Sequence, residues 1–281
     1  MLRRTLSRMR FLPSLVLLTG VLALPAPADS TKPNFIVVLM DDFGYNDIGC
    51  YTYPSTTDYH PNSGPAPHYS QTDPAIPDPN EARTLTPRLD QMADQGIRFT
   101  SYYSCARNCT PARAALVTGC YAARVRLPEV VIPTTTYGLG TTEITIAEIL
   151  KTRGYATGLV GKWHLGYNPF VTRPMQLMPT RHGFDEFYGI PTSNGHPPVG
   201  DTFGDFVGGL YLWENETPIQ TLGTNMADTG QYQHELNWRY TERALDFIER
   251  NQDGPFFLYL AHSMPHTPVW PSQTTFTNAD G

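Results

Sequence analysis

Apolar residues are concentrated in a few short runs separated by polar, turn-rich chain. Asn34 to Met40 (NFIVVLM) and Pro255 to Ala261 (PFFLYLA) are continuous β-branched or aromatic runs. Runs of this kind predict strands buried on both faces of a mostly parallel sheet. Tyr155 to Val160 predicts a further strand, and Ile97 to Tyr103 another. Helical signals lie between them. Thr86-Pro87 reads as an N-cap and first helical residue, Leu89, Met92 and Ala93 keep helical spacing, and Gly96 reads as the stop. Thr145-Ile-Ala-Glu148 is a capping box opening a helix through Arg153, with Gly154 after it. Leu210 to Gln220 predicts a hairpin around Glu214-Asn215, and Tyr232 to Asn251 the longest helix. Strands alternating with helices indicate an α/β fold with a mostly parallel central sheet flanked by helices.

Two segments break this rhythm. Residues 51–83 hold seven prolines and no apolar period, which predicts an irregular surface loop. It is read either as a solvated decoration or as a lip over a binding site. At the other break, Arg3, Arg4, Arg8 and Arg10 precede the apolar stretch Phe11 to Leu24 and the small-residue pattern Ala26-Pro27-Ala28. That order reads as a secretory signal over residues 1–28, cleaved after Ala28. The apolar stretch is 14 residues long and carries Pro13 and Gly20. A stable membrane span needs about 20. The expected product is exported, periplasmic or secreted, with residues 29–281 forming the folded portion.

Charge narrows the classes of partner. The 281 residues carry 20 Lys and Arg against 26 Asp and Glu, and removing the signal leaves 16 basic residues. No long basic run exists, so nucleic acid is excluded as the main partner. Export permits disulfides, yet Cys105, Cys109 and Cys120 crowd into 16 residues, and at most one bridge is expected with Cys50 included.

Polar groups follow the ends of three predicted strands: Asp41 and Asp42, then Gly161-Lys162-Trp163-His164, then His262 and His266. Ligands of open α/β sheets bind beyond the carboxyl ends of the strands, so these groups are expected to converge. His262 is taken as structural. Adjacent carboxylates repel unless a cation relieves them, and two Asp suit a hard ion such as Ca²⁺ or Mg²⁺ better than Zn²⁺. Cys109-Thr-Pro111-Ala-Arg113 leads into small, helix-forming residues closed by Thr118-Gly119. With Pro111 as first helical residue, Cys109 sits ahead of a helix N-terminus, where orphan N–H groups and the dipole attract an anion. Arg113, one turn in, would grip a tetrahedral guest such as phosphate or sulfate. The thiol itself is read as reactive or as half of a disulfide.

These residues resemble the type I sulfatases of the alkaline phosphatase-like superfamily. Cys109, Pro111, Arg113, Thr118 and Gly119 match the core C-x-P-x-R signature, with Ala112 where Ser is usual. Gly161-Lys162-Trp163-His164-Leu165-Gly166 matches G-K-W-H-x-G throughout. The opening run with Asp41-Asp42-Phe43-Gly44-Tyr45, the segment Thr86 to Asp90, Gly183-Phe184-Asp185 and His266-Thr267-Pro268 extend the likeness over about residues 33–270.

The resemblance implies an alkaline phosphatase-like fold and sulfate-ester hydrolysis. A formylglycine-generating enzyme would convert Cys109 to formylglycine, and Asp41 and Asp42 would hold Ca²⁺ (alternatively Mg²⁺) with an oxygen on residue 109. Arg113 would orient that residue, Lys162 would hold the sulfate, and His164 would assist sulfate release. His266 would contact the sulfate and protonate the leaving group, with Ser193 as a substrate-side hydroxyl. The partner would be a sulfated small molecule or glycan. The family also carries a later Asp-Asn pair and a further Lys. Neither is found after His266, Asn278-Ala-Asp280-Gly281 following too closely and Lys162 being the last lysine. The chain therefore reads as the N-terminal portion of a sulfatase catalytic domain, with weak metal binding and little turnover expected. The competing readings are a non-catalytic binder of sulfated glycans, a phosphatase or phosphodiesterase of the same superfamily, and a thiol-dependent hydrolase.

Overall fold

Six strands form one sheet in the computed structural model, which describes residues 32–44, 47–52, 86–132, 135–166, 174–195, 210–223 and 233–267. The segment expected to be a signal, 1–28, and the Pro-rich stretch beyond residue 52 expected to be a loop lie outside the described residues. In chain order the elements are β1 (Phe35–Asp41), α1 (Gly49–Thr52), α2 (Pro87–Gln95), α3 (Cys109–Thr118), α4 (Ile146–Lys151) and β2 (Ala156–Lys162). Then come β3 (Glu186–Ile190), β4 (Leu210–Glu214), β5 (Thr217–Gly223), α5 (Leu236–Asn251) and β6 (Phe256–Pro265). Strand order across the sheet is β1-β6-β2-β3-β4-β5. The first four are mutually parallel, and β4 and β5 add an antiparallel hairpin. The α/β class and the hairpin are as expected. No helix among the described residues is long and apolar enough to cross a membrane.

Side-chain alternation along β6 divides the core in two. Phe257, Tyr259 and Ala261 pack with Leu159, Trp163, Phe187 and helix residues Ala114, Val117 and Ala147. Phe256 and Leu258 point the other way, toward Val160 and the α5 residues Tyr240, Ala244 and Phe247. A central strand covered on both faces has to be apolar at every position, which explains the unbroken run. The capping box forms as predicted: the Thr145 hydroxyl accepts from the Glu148 N–H at 3.1 Å and the Glu148 carboxylate accepts from the Thr145 N–H at 2.7 Å.

Three local expectations are corrected, and a fourth holds in position without its capping bond. β1 is not buried on both faces: among the described residues it stands at the end of the strand order, pairs with β6 alone, and leaves Ile36 and Val38 49% and 51% exposed. Its other face, Val37 and Leu39, does reach the core. Residues 97–103 form no strand, and Ile97 and Tyr103 are 83% and 79% exposed. Their β-propensity finds no neighbouring strand, and the segment is tied instead to α1 through Arg98 Nη1 to the Cys50 carbonyl and Tyr51 OH to the Phe99 carbonyl. Thr86, Pro87 and Gly96 do stand at the cap, first helical and stop positions, but the Thr86 hydroxyl makes no capping bond and accepts from the Gly49 N–H instead. Pro111 is the third residue of α3 rather than the first, because Asn108 is the cap and Cys109 already belongs to the helix. Gly119 ends α3 in the left-handed conformation, φ 66°.

Two glycines bring three strands into close approach near their carboxyl ends. Gly161 (φ 117°) stands in register with Gly189 of β3 and Ala261 of β6. A Cβ on Gly161 would lie 1.9 Å from the Ala261 carbonyl oxygen, and one on Gly189 would lie 1.8 Å from that of Gly161. Only glycine fits at either position.

Candidate active site

Each strand end and the start of α3 contribute one piece of the site. β1 closes with Asp41, whose carboxylate is buried, and the chain then turns through Asp42 in a left-handed conformation, φ 62°. The Asp42 side chain is 59% exposed. β2 ends at Lys162, fully buried, and the backbone continues alongside β3, with the Trp163 and His164 N–H groups donating to the Ile190 and Pro191 carbonyls. Those bonds hold His164 at φ 55°. The Thr110 hydroxyl joins α3 to this segment, donating to the His164 carbonyl at 2.9 Å and accepting from the Val131 N–H at 3.1 Å.

Asp41 is the centre of a buried ion-pair triad. Lys162 Nζ lies 2.5 Å from its Oδ2, and Arg113 Nη2 lies 3.2 Å from its Oδ1. Lys162 also donates to the Ser193 hydroxyl at 3.0 Å, and Arg113 Nη1 donates to the Lys162 carbonyl at 2.7 Å and toward the Tyr259 hydroxyl at 3.4 Å. Burial works against each charge. It would raise the Asp41 carboxyl, but Arg113 and Lys162 override it and hold that pKa below the ordinary value. Burial together with the Arg113 charge pulls the Lys162 ammonium down despite Asp41. Two cations share one carboxylate, so the triad carries surplus positive charge in a region of low dielectric.

Above this triad a cleft of about 250 Å³ is lined by Asp42, Cys109, His164, Ser193 and His266. Arg107, Asn108, Val130 and Gly195 complete its wall. Cys109, at the start of α3, carries a free thiol, as do Cys50, Cys105 and Cys120. The bonds of the two histidines select their tautomers. His164 Nε2 faces the Val131 carbonyl at 2.9 Å, so that nitrogen carries the proton and Nδ1 is the basic one. His266 Nδ1 faces the Thr267 carbonyl at 2.5 Å, which leaves Nε2 directed at Asp42 Oδ2, 3.9 Å away.

Of the eight residues singled out in the sequence, five line the cleft, while Asp41, Arg113 and Lys162 are buried and do not. Lys162 in particular is engaged by Asp41 and Ser193 rather than presented to a guest. His262 bonds Asn237 Oδ1 at 3.2 Å, and burial lowers its pKa. Sequence reasoning missed Arg107, Asn108 and Val130 as cleft residues, Thr110 as the tie between α3 and β2, and Tyr259 as a neighbour of Arg113. The first two immediately precede Cys109, and that adjacency was their one visible signal.

The arrangement does not fit a calcium shell. Ca²⁺ takes six to eight oxygens, whereas both Asp41 oxygens already face cations and Asp42 adds one carboxylate. Among the described residues no group of three or more His, Cys, Asp or Glu gathers to hold a metal.

Comparison with known proteins is consistent across sequence and structure. A family model described as Sulfatase matches residues 33–279. Arylsulfatase A of Homo sapiens is 35% identical over 261 residues, covering 88% of this chain and 44% of the relative. N-acetylgalactosamine-6-sulfatase of Canis lupus familiaris is 33% identical over 281 residues, covering 92% of this chain and 44% of the relative. The crystal structure of Ps i-CgsB in complex with k-i-k-neocarrahexaose superposes with a TM-score of 0.57 at 25% identity, covering 84% of this chain and 46% of that one. The chain thus spans a little under half the length of the curated relatives it matches.

Proposed function

Because the chain belongs to the sulfatase family, we propose that its cleft hydrolyses a sulfate ester at residue 109. The observation that carries this reading is the placement of Cys109 at the start of α3 beside a buried triad with surplus positive charge. A helix N-terminus and an under-neutralised cation pair both favour a tetrahedral anion at one spot. Converted to formylglycine by a maturation enzyme and hydrated by one water to the gem-diol, residue 109 would supply the hydroxyl that attacks sulfur while the ester oxygen leaves as the alcohol.

The chain's own side chains perform the remaining tasks. Arg113 and Lys162 set the potential that offsets charge gathering on the sulfate oxygens, acting at low dielectric without reorganising. With Nδ1–H committed to the Thr267 carbonyl, His266 would donate from Nε2 to the leaving oxygen as the imidazolium, the form that the facing Asp42 carboxylate favours. His164, fixed through the Val131 carbonyl, presents Nδ1 as the base that assists release of sulfate. Ser193 aligns Lys162 from the cleft side. The family implies Ca²⁺, with Mg²⁺ as alternative; Asp42 is the carboxylate accessible to such an ion, and Asp41 would first have to release Lys162. No step above depends on it.

The proposed substrate is a sulfated sugar or aryl ester, and export through residues 1–28 is part of the same reading. The test is mass spectrometry of the tryptic peptide containing position 109 after co-expression with a formylglycine-generating enzyme, paired with 4-nitrophenyl sulfate turnover. Thiol-to-aldehyde conversion and turnover lost in Cys109→Ala are expected. Turnover that persists with an unmodified thiol and stops on alkylation would instead identify a thiol hydrolase, and sulfate binding without turnover a binding protein.

A further inference from the structure

Arg107 has no role in the reaction just described, yet it stands on the cleft wall two residues before Cys109. Two residues of chain span at most about 7 Å, within the width of one sugar ring. Its side chain is exposed and makes no ion pair or hydrogen bond among the described residues. The other permanent cations of the site are committed: Arg113 and Lys162 are buried against Asp41. Asp42, the one carboxylate on the wall among the described residues, faces His266. Neighbouring Asn108 caps α3 through its backbone only, so its amide makes no capping bond. The rim therefore offers a planar, fully charged guanidinium with its donors unspent. Such a fork matches a carboxylate or sulfate in bidentate fashion.

We propose that Arg107 is a specificity-determining residue that binds a second anionic group of the substrate. The preferred substrate class is then a sulfated saccharide bearing another sulfate or a carboxylate beside the ester to be cleaved. This rests on the sulfatase reading of the cleft and adds a substrate class to it. Aryl monosulfates would occupy only the site at residue 109 and would gain nothing from the rim cation. On the wall that carries His266, Gly195 packs closely beneath the ring, where a Cβ would lie 2.8 Å from the Thr267 carbonyl oxygen and 2.9 Å from His266 Cε1.

Equilibrium binding tests the assignment whether or not the chain turns over. Isothermal titration of the full chain would compare galactose 6-sulfate, galactose 4,6-disulfate and a uronate-containing disaccharide monosulfate, in wild type, Arg107→Ala and Arg107→Lys. The wild type is expected to bind the doubly anionic ligands roughly ten- to hundredfold more tightly than the monosulfate, the range of one charge-assisted contact. In Arg107→Ala that ratio should fall to within about threefold of unity, with partial recovery in Arg107→Lys. The disulfate and uronate arms distinguish which second anion is read. A ratio unchanged by Arg107→Ala, or equal loss for all three ligands, overturns the assignment while leaving the sulfatase site standing. Wild-type protein that binds none of the three overturns both.

Discussion

Replacing Asp41 by Asn keeps the shape of the side chain and removes the charge that holds Arg113 and Lys162. Both cations are fully buried, so neither gains water in compensation. Breaking a buried pair by deleting one partner costs about 3–5 kcal/mol, because an uncompensated charge is left inside. At a urea m-value near the upper end for small domains, about 3 kcal/mol/M, the unfolding midpoint should fall by roughly 1 to 1.7 M. Urea titration at pH 7 followed by tryptophan fluorescence would measure it, with Trp163 and Trp213 both buried as reporters. The sign of the pH dependence follows from the depressed Asp41 pKa. Its contribution is fully present above its unfolded value near 3.8 and is lost as pH falls through the lower folded value. The Asn variant should lack that component of the acid limb. Removing the second charge as well, in Asp41→Asn with Lys162→Met, should recover part of the loss. A midpoint shift below about 0.3 M in the single variant, or a double variant less stable than the single, would refute the account of the triad as a charge clamp.

Two further outcomes are expected elsewhere in the fold. His182 is fully buried against Trp163, and burial lowers its pKa from 6.5 to about 4. The neutral ring is favoured, so its contribution is present above pH 6.5 and about 3 kcal/mol is lost as pH falls toward 4; His182→Phe should flatten denaturation midpoints across that window. Gly189→Ala forces a Cβ to 1.8 Å from the Gly161 carbonyl oxygen, which predicts loss of soluble protein or of near-UV circular dichroism, and a variant with wild-type midpoint would contradict the close strand approach.

Legibility in the sequence tracked the range of the interaction. Periodicity and caps are local, so β6, the β4–β5 hairpin and the Thr145 box were readable from a dozen residues at a time. The motif residues Cys109, His164 and His266 were readable because spacing along a strand end or helix start determines where they emerge. Position within the sheet is not local. The run at residues 35–41 looks like a central strand, and its pairing with β6 alone among the described residues places it at the end of the strand order. The Asp41–Lys162 contact links residues 121 positions apart, which no pattern along the chain encodes. For that reason two carboxylates suggested a metal site, whereas in the fold one of them already answers two cations. Residues 97–103 misled in the opposite sense, since strand propensity without a neighbouring edge produces no strand.

The place of β1 at the end of the strand order has a mechanical consequence for the site. At its Phe35 end β1 is tied by the Phe256 N–H donating to Asn34 Oδ1 and the Tyr155 hydroxyl donating to the Pro33 carbonyl, both at 3.0 Å, and by Phe35 stacked on the Tyr155 ring. At the other end the register shifts between Leu39 and Asp41, a weakness in the ladder, yet there the Asp41 carboxylate is fastened to two buried cations. The strand is therefore fastened at both ends, by neutral hydrogen bonds and a ring contact where it enters the sheet and by charge where it leaves. The carboxylate at the centre of the triad thus also acts as a rivet at the carboxyl end of β1.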